Sequence, residues 1–228
     1  MTTTAKSLDR VRDVIDEYVR LEFPGIFLRT LSPYGFAVKT NAISAYSTER
    51  WLEFYKEGLE YILHLNRIGI PFREYYATVV LKKMLTSEDP GFVDLTSPSG
   101  IGIKAIVYNY DGSVYASDES RMLAEMGDQK FRLGSLVTNS YEELLLSERL
   151  LDPLERSITV SAPMCSDCAF EPYCGADPVF HHAAYGDVLG RKAESAFCLR
   201  NMEIFQFLIA KMRDDPQVRD LFLSWASR

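Results

Sequence analysis

The stretch CSDCAFEPYCGAD, Cys165 to Asp177, constrains this chain more than any other. It places three of the four cysteines within ten positions, and Cys198 follows Cys174 after 23 intervening residues. Sulfur at that density serves either as a covalent staple or as a ligand set. A chain of 228 residues with 47% hydrophobic content buries a core without staples, and disulfide frameworks belong to small secreted domains. The N-terminus, MTTTAKSLDRVRDVIDEYV, turns charged and amphipathic at once, with no apolar h-region or cleavage site. These features imply a cytoplasmic location, where clustered cysteines hold a metal centre or do redox chemistry.

The net charge of −7 leaves no excess of Lys and Arg to release phosphate counterions. No segment approaches the roughly 18 consecutive apolar residues of a membrane span. Neither nucleic acid nor a membrane is therefore an expected partner.

Periodicity divides the chain near residue 90. From Ser7 to about Leu21, Leu8, Val11, Val14, Ile15, Tyr18 and Val19 recur at helical steps and stop before Pro24 and Gly25. GIFLRTL (25–31) reads as a buried strand, and SPYGFAVKTNAISAYS as a long loop. Helices are predicted from Ser47 to Ile68 and from Phe72 to about Thr86. The period then changes to two: GFVDL, KAIVYNY, the Asp111-Gly112 turn and SVYAS predict strands and a hairpin. Ser140 stands three residues before Glu143 in a capping box, and helices are predicted near 194–214 and 216–226. The fold class is α/β, α+β overall.

CxxC places two thiolates on a tight turn. The third cysteine, after five intervening residues, can return to the same centre, and Cys198 closes the set from a predicted helix. Four thiolates suit tetrahedral Zn²⁺ or a cubane [4Fe-4S] cluster. Zinc ribbons usually pair CxxC with a second CxxC, which is missing here; the spacing alone leaves both metals open. His181 and His182 are adjacent and point different ways, so at most one joins such a centre easily. His64 lies among apolar neighbours of a predicted helix, and Trp51, Phe54, Tyr55, Tyr61, Tyr75 and Tyr76 have the spacing of ordinary packing.

DGSVY (111–115), FRLG (131–134) and Cys165, Cys168, Cys174 and Cys198 stand in an order that resembles the SPASM auxiliary-cluster domain of radical SAM peptide-modifying enzymes. FLRTLSPYGFA, VYASDESRMLAEMGD and the segment from CGADP to YGD are similar to the B-type maturases of His-Xaa-Ser peptide systems. The resemblance implies that residues 1–89 are the C-terminal end of a partial (β/α) barrel. Residues 90–228 are then a SPASM-like domain with a β-hairpin, a cysteine-rich loop and C-terminal helices. It also implies one auxiliary [4Fe-4S] cluster on the four cysteines, with Asp177 as an alternative ligand, and a ribosomally made precursor peptide as substrate. The Pro33-Tyr34-Gly35 turn, at the end of a barrel strand, would face the cleft, making Ser32, Tyr34 and Gly35 candidates for lining it.

Two departures limit this. The CxxxCxxC that holds the S-adenosylmethionine-cleaving cluster is absent, so that cofactor belongs only to an intact enzyme or one complemented by an upstream radical SAM half or partner subunit. Ser117 and Pro178 stand where a second auxiliary cluster would need cysteines, and Ser135 follows FRLG with no cysteine nearby. One cluster can be ligated, for electron transfer or structural support. The competing readings are a zinc-stabilised, non-catalytic peptide- or protein-binding module and an inactive truncated product.

Overall fold

Apolar residues at helical spacing produce the first packed pair, α1 (Val11–Arg20) and α2 (Thr48–Arg67). In this computed structural model the described residues are 1–35, 38 and 46–227. Most of the predicted loop after Leu31, including 36, 37 and 39–45, lies outside them. Helix α1 starts at Val11 rather than Ser7, because residues Ala5–Ser7 form a 3₁₀ turn closed by a Thr4/Ser7 capping box. Val11 and Ile15 are buried against α2. A Cβ at Gly58 of α2 would stand 2.7 Å from Val11 Cγ2 and 2.9 Å from Leu28 Cδ1, so only a glycine admits this approach without a shift. Ser47 caps α2 by accepting the Arg50 N–H.

The predicted strand 25–31 shortens to β1 (Gly25–Ile26), paired in parallel with β2 (Arg73–Glu74). Beyond Ile26 a side chain replaces the ladder: the buried Glu74 carboxylate accepts the Leu28 N–H at 3.0 Å and the Tyr55 hydroxyl at 2.7 Å. The same carboxylate accepts the Ala77 N–H at 2.6 Å, which caps α3 (Tyr75–Leu85). That cap explains why the helix expected from Phe72 begins three residues later.

By its contacts the chain divides into two units, Met1–Leu31 with Asn41–Pro90 and Ala196–Arg228, and Ser32–Thr40 with Gly91–Ser195. The second unit opens with a correction. GFVDL is not a strand but contributes the 3₁₀ turn Val93–Leu95, followed by the Gly100 N–H bond to the Val93 carbonyl. The hairpin forms as expected, β3 (Val107–Tyr108) and β4 (Ser113–Tyr115), joined antiparallel in the order β3-β4-β5 to β5 (Arg132–Ser135). Gly112 takes φ +80° in its turn. Between β4 and β5 lies α4 (Asp118–Ala124), capped by Ser117 and Ser120.

Ser140 and Glu143 form the expected capping box of α5 (Tyr141–Leu145). Ser147 then caps afresh, so SYEELLLSERLL yields two short helices, the second being α6 (Glu148–Arg156). Val114, Ala116, Phe131, Leu133, Leu150 and Val179 belong to this unit's core, the last from α7 (Pro178–Tyr185). The chain closes with α8 (Ala196–Asp214) and α9 (Pro216–Ala226), near the predicted bounds, with α8 packed on α2 and α9 on α3. The described sheets are open, and the architecture is α+β with C-terminal helices. No described helix is long and apolar enough to cross a membrane.

Candidate metal centre

The cysteine loop is built from consecutive backbone turns. Cys165 N–H bonds to the Ala162 carbonyl at 3.1 Å and Cys168 N–H to the Cys165 carbonyl at 3.0 Å, so CxxC is a tight turn. Met164, just before it, is exposed and takes φ +64°, a left-handed conformation costly for a residue with a Cβ. A 3₁₀ turn, Glu171–Tyr173, brings the chain back, with the Cys174 N–H on the Phe170 carbonyl at 2.9 Å. Thr159 and Glu171 are bonded through their side chains across the loop.

Gly175 then passes directly over the Val93–Leu95 turn. A Cβ there would fall 2.3 Å from Thr96 N and 2.5 Å from Asp94 O, both backbone atoms. Asp177 ends the loop as the N-cap of α7, its carboxylate accepting the Phe180 N–H at 2.8 Å. Buried His181 donates from Nδ1 to the Asp177 carbonyl at 2.8 Å and faces Ser195 Oγ with Nε2 at 3.2 Å. Ser195 Oγ donates to the Lys192 carbonyl at 2.6 Å. Helix α7 thereby holds the 3₁₀ turn Lys192–Glu194 beside the cysteines.

Lys192 is 4% exposed, and its Nζ lies 3.7 Å from Cys165 Sγ and 3.6 Å from Cys174 Sγ. Burial pushes the Cys165 thiol up; the Lys192 ammonium pulls against it, while the neighbouring Cys174 and Cys168 add to the rise. The Cys165 thiol thus feels two neighbouring thiols and one buried cation. All four cysteines, Cys198 included, are thiols outside any disulfide among the described residues. Cys198 is half-buried, the third residue of α8.

Among the described residues, no group of three or more His, Cys, Asp or Glu side chains closes on a single metal-ion position. The donor set nevertheless fits a thiolate-ligated centre in its chemistry. One loop supplies three thiols, and beside two of them a buried ammonium would balance the negative charge that thiolates bring.

Of the other sequence-predicted residues, Tyr34 is 3% exposed within the second unit's core, and Ser32 and Gly35 are half-buried. The Gly35 N–H points to Met126 Sδ at 2.8 Å. His182 binds Asp128 at 2.7 Å, and His64 is exposed on α2. Lys192 is the residue that sequence reasoning missed. RKAES carries no spacing signal; only the burial of its ammonium beside two thiols reveals it.

No family model matches the chain and no curated protein is similar to it. Solved structures do match. Native anSMEcpe with bound AdoMet superposes at a TM-score of 0.64 and 17% identity, over 97% of this chain and 55% of that one. Native anSMEcpe with bound AdoMet and the Cp18Cys peptide gives 0.65 and 17%, over 98% and 56%; with the Kp18Cys peptide it gives 0.63 and 18%, over 98% and 56%. The chain spans about half the length of these structures and, at such low identity, shares their fold.

Proposed function

We propose that this chain is the C-terminal portion of a radical SAM/SPASM maturase that modifies a ribosomally synthesised precursor peptide, most similar to the B-type maturases of His-Xaa-Ser systems. Residues 1–89 then form the end of a partial (β/α) barrel and residues 90–228 a SPASM-like domain. The burial of the Lys192 ammonium beside Cys165 and Cys174, in contact with the loop that also carries Cys168, is the observation on which this reading rests. The fold likeness to anSMEcpe, solved with AdoMet and with bound peptides, supports it.

Cys165, Cys168 and Cys174 would hold one auxiliary [4Fe-4S] cluster together with Cys198, with Asp177 as the substitute ligand. When bound, such a cluster supplies one-electron transfer and ties its loop together. The chain's own residues prepare for it. Gly175 lets the loop lie against residues 94–96, His181 and Ser195 hold the 192–195 turn, and burial of Cys165 limits water. Ser32 and Gly35 are assigned to the peptide side, with Tyr34, 3% exposed, supporting them from the core. S-adenosylmethionine and its cleaving cluster belong to an upstream half or partner subunit, since this chain has four cysteines and no CxxxCxxC.

Anaerobic reconstitution followed by metal and sulfide analysis tests the assignment. About four iron and four sulfide per chain, largely lost in Cys168→Ala, is the expected result. One zinc per chain without sulfide would instead make this a zinc-stabilised binding module.

A further inference from the structure

We propose that Lys192 sets the electrical charge of the cysteine site: its ammonium donates N–H···S bonds to Cys165 and Cys174 and raises the reduction potential of the centre they hold. The inference rests on the cluster reading above and goes beyond it, since nothing in the ligand set requires a cation.

Lysine is almost never fully buried unless it is paired; Lys192 is 4% exposed and carries its Nζ to within 3.7 Å of two sulfurs. Its backbone is fixed independently of those sulfurs. The Lys192 carbonyl accepts both the Ser195 N–H at 3.0 Å and the Ser195 hydroxyl at 2.6 Å, and Ser195 meets His181 of α7. The acid on the same turn, Glu194, is exposed and faces exposed Arg191 at 3.5 Å. The turn that carries Lys192 is thus held by Ser195 and His181, and its Nζ reaches both sulfurs.

Hydrogen bonds to cluster sulfurs and local charge are among the factors that set the potential of an iron-sulfur centre. Reduction adds one electron, taken from the chemical reductant, and so one negative charge. No covalent bond at Nζ forms or breaks. A cation at hydrogen-bonding distance in a water-poor site stabilises the more negative state, because the low local dielectric strengthens the attraction. Lys192 is thus a positioning residue acting through the ligand sulfurs.

The test is an anaerobic dithionite titration of the reconstituted chain, followed by electron paramagnetic resonance, with iron and sulfide measured on each sample. Lys192→Met should load like the wild type and shift the midpoint negative by about 59 mV, a tenfold weaker reduction equilibrium for a one-electron couple. Lys192→Arg, which keeps a cation, should stay near the wild-type potential. Equal potentials in loaded wild type and Lys192→Met overturn this inference alone. A wild-type chain that takes up no iron and sulfide overturns the proposed function and this inference with it. If Lys192→Met fails to load, the arginine variant decides: loading at the wild-type potential supports the assignment, and failure to load overturns it.

Discussion

Glu74 carries more of the first unit than any other polar side chain. Its carboxylate joins Leu28 N, Tyr55 Oη and Ala77 N in a site closed to water. Burial pushes its carboxyl up, opposed by the Ala77 and Leu28 amides and by the Tyr55 hydroxyl. Because the folded value lies above the unfolded one, the folded state binds more protons between the two. Stability from this group is then full below about pH 4.3, the ordinary glutamate value, and falls as pH rises toward the folded value. Urea unfolding of wild type and Glu74→Gln across pH 4 to 7 should show that decline in the wild type only. The variant should be weaker throughout by about 1–3 kcal/mol, since an amide cannot accept on both sides. Gly175 is the second sensitive residue. With backbone atoms 2.3–2.6 Å from the Cβ position, Gly175→Ala must displace the cysteine loop. A loss of about 1–3 kcal/mol in thermal or denaturant unfolding, with reduced iron uptake on reconstitution, is expected. Wild-type stability and loading would remove Gly175 from the account of the site.

Among elements, those that carry their own stop signals were legible in advance. Helix α2 runs between a serine cap and Gly69, the Asp111-Gly112 hairpin declares its turn, and α9 begins at Pro216 behind an Asp215 cap. Elements whose form depends on a distant partner were not. GFVDL alternates like a strand yet folds as a 3₁₀ turn whose backbone meets Gly175, about eighty residues away in the chain. The β1-β2 pair is cut to two residues because a glutamate, not a neighbouring strand, takes the next amide. The cysteine spacing was legible, but the lysine inside the site was not, because long-range burial leaves no periodic trace. Helix α7 offers a test at this scale. Asp177 caps it through the Phe180 N–H, so Asp177→Ala should cost about 1 kcal/mol, whereas Asp177→Asn, an equally good cap, should be close to neutral. Iron content measured on the asparagine variant separates cap from ligand: unchanged loading supports Cys198 as the fourth ligand, and loss of the cluster transfers that role to Asp177.

For the whole molecule, the decisive quantity is the cysteine inventory. Four thiols would at most ligate one cubane fully, whereas S-adenosylmethionine needs an iron with a vacant position for its amino and carboxylate groups. The fold matches 97% of this chain but 55% of anSMEcpe, so about half of that AdoMet-bound protein has no counterpart here. On the function proposed above, peptide modification would divide between parts, with redox support on this chain and radical generation on another segment. The reconstituted chain, given dithionite and S-adenosylmethionine, should release no 5′-deoxyadenosine above the protein-free background by liquid chromatography. Adding a segment that carries CxxxCxxC and completes the barrel should restore its formation. The Cys168→Ala chain should leave that cleavage in place while reducing peptide modification, because in the proposed role the auxiliary centre would act after the radical is made. Release of 5′-deoxyadenosine by the chain alone would mean that its four cysteines serve a cluster with an open iron, and the ligand assignment of Cys198 would have to be abandoned.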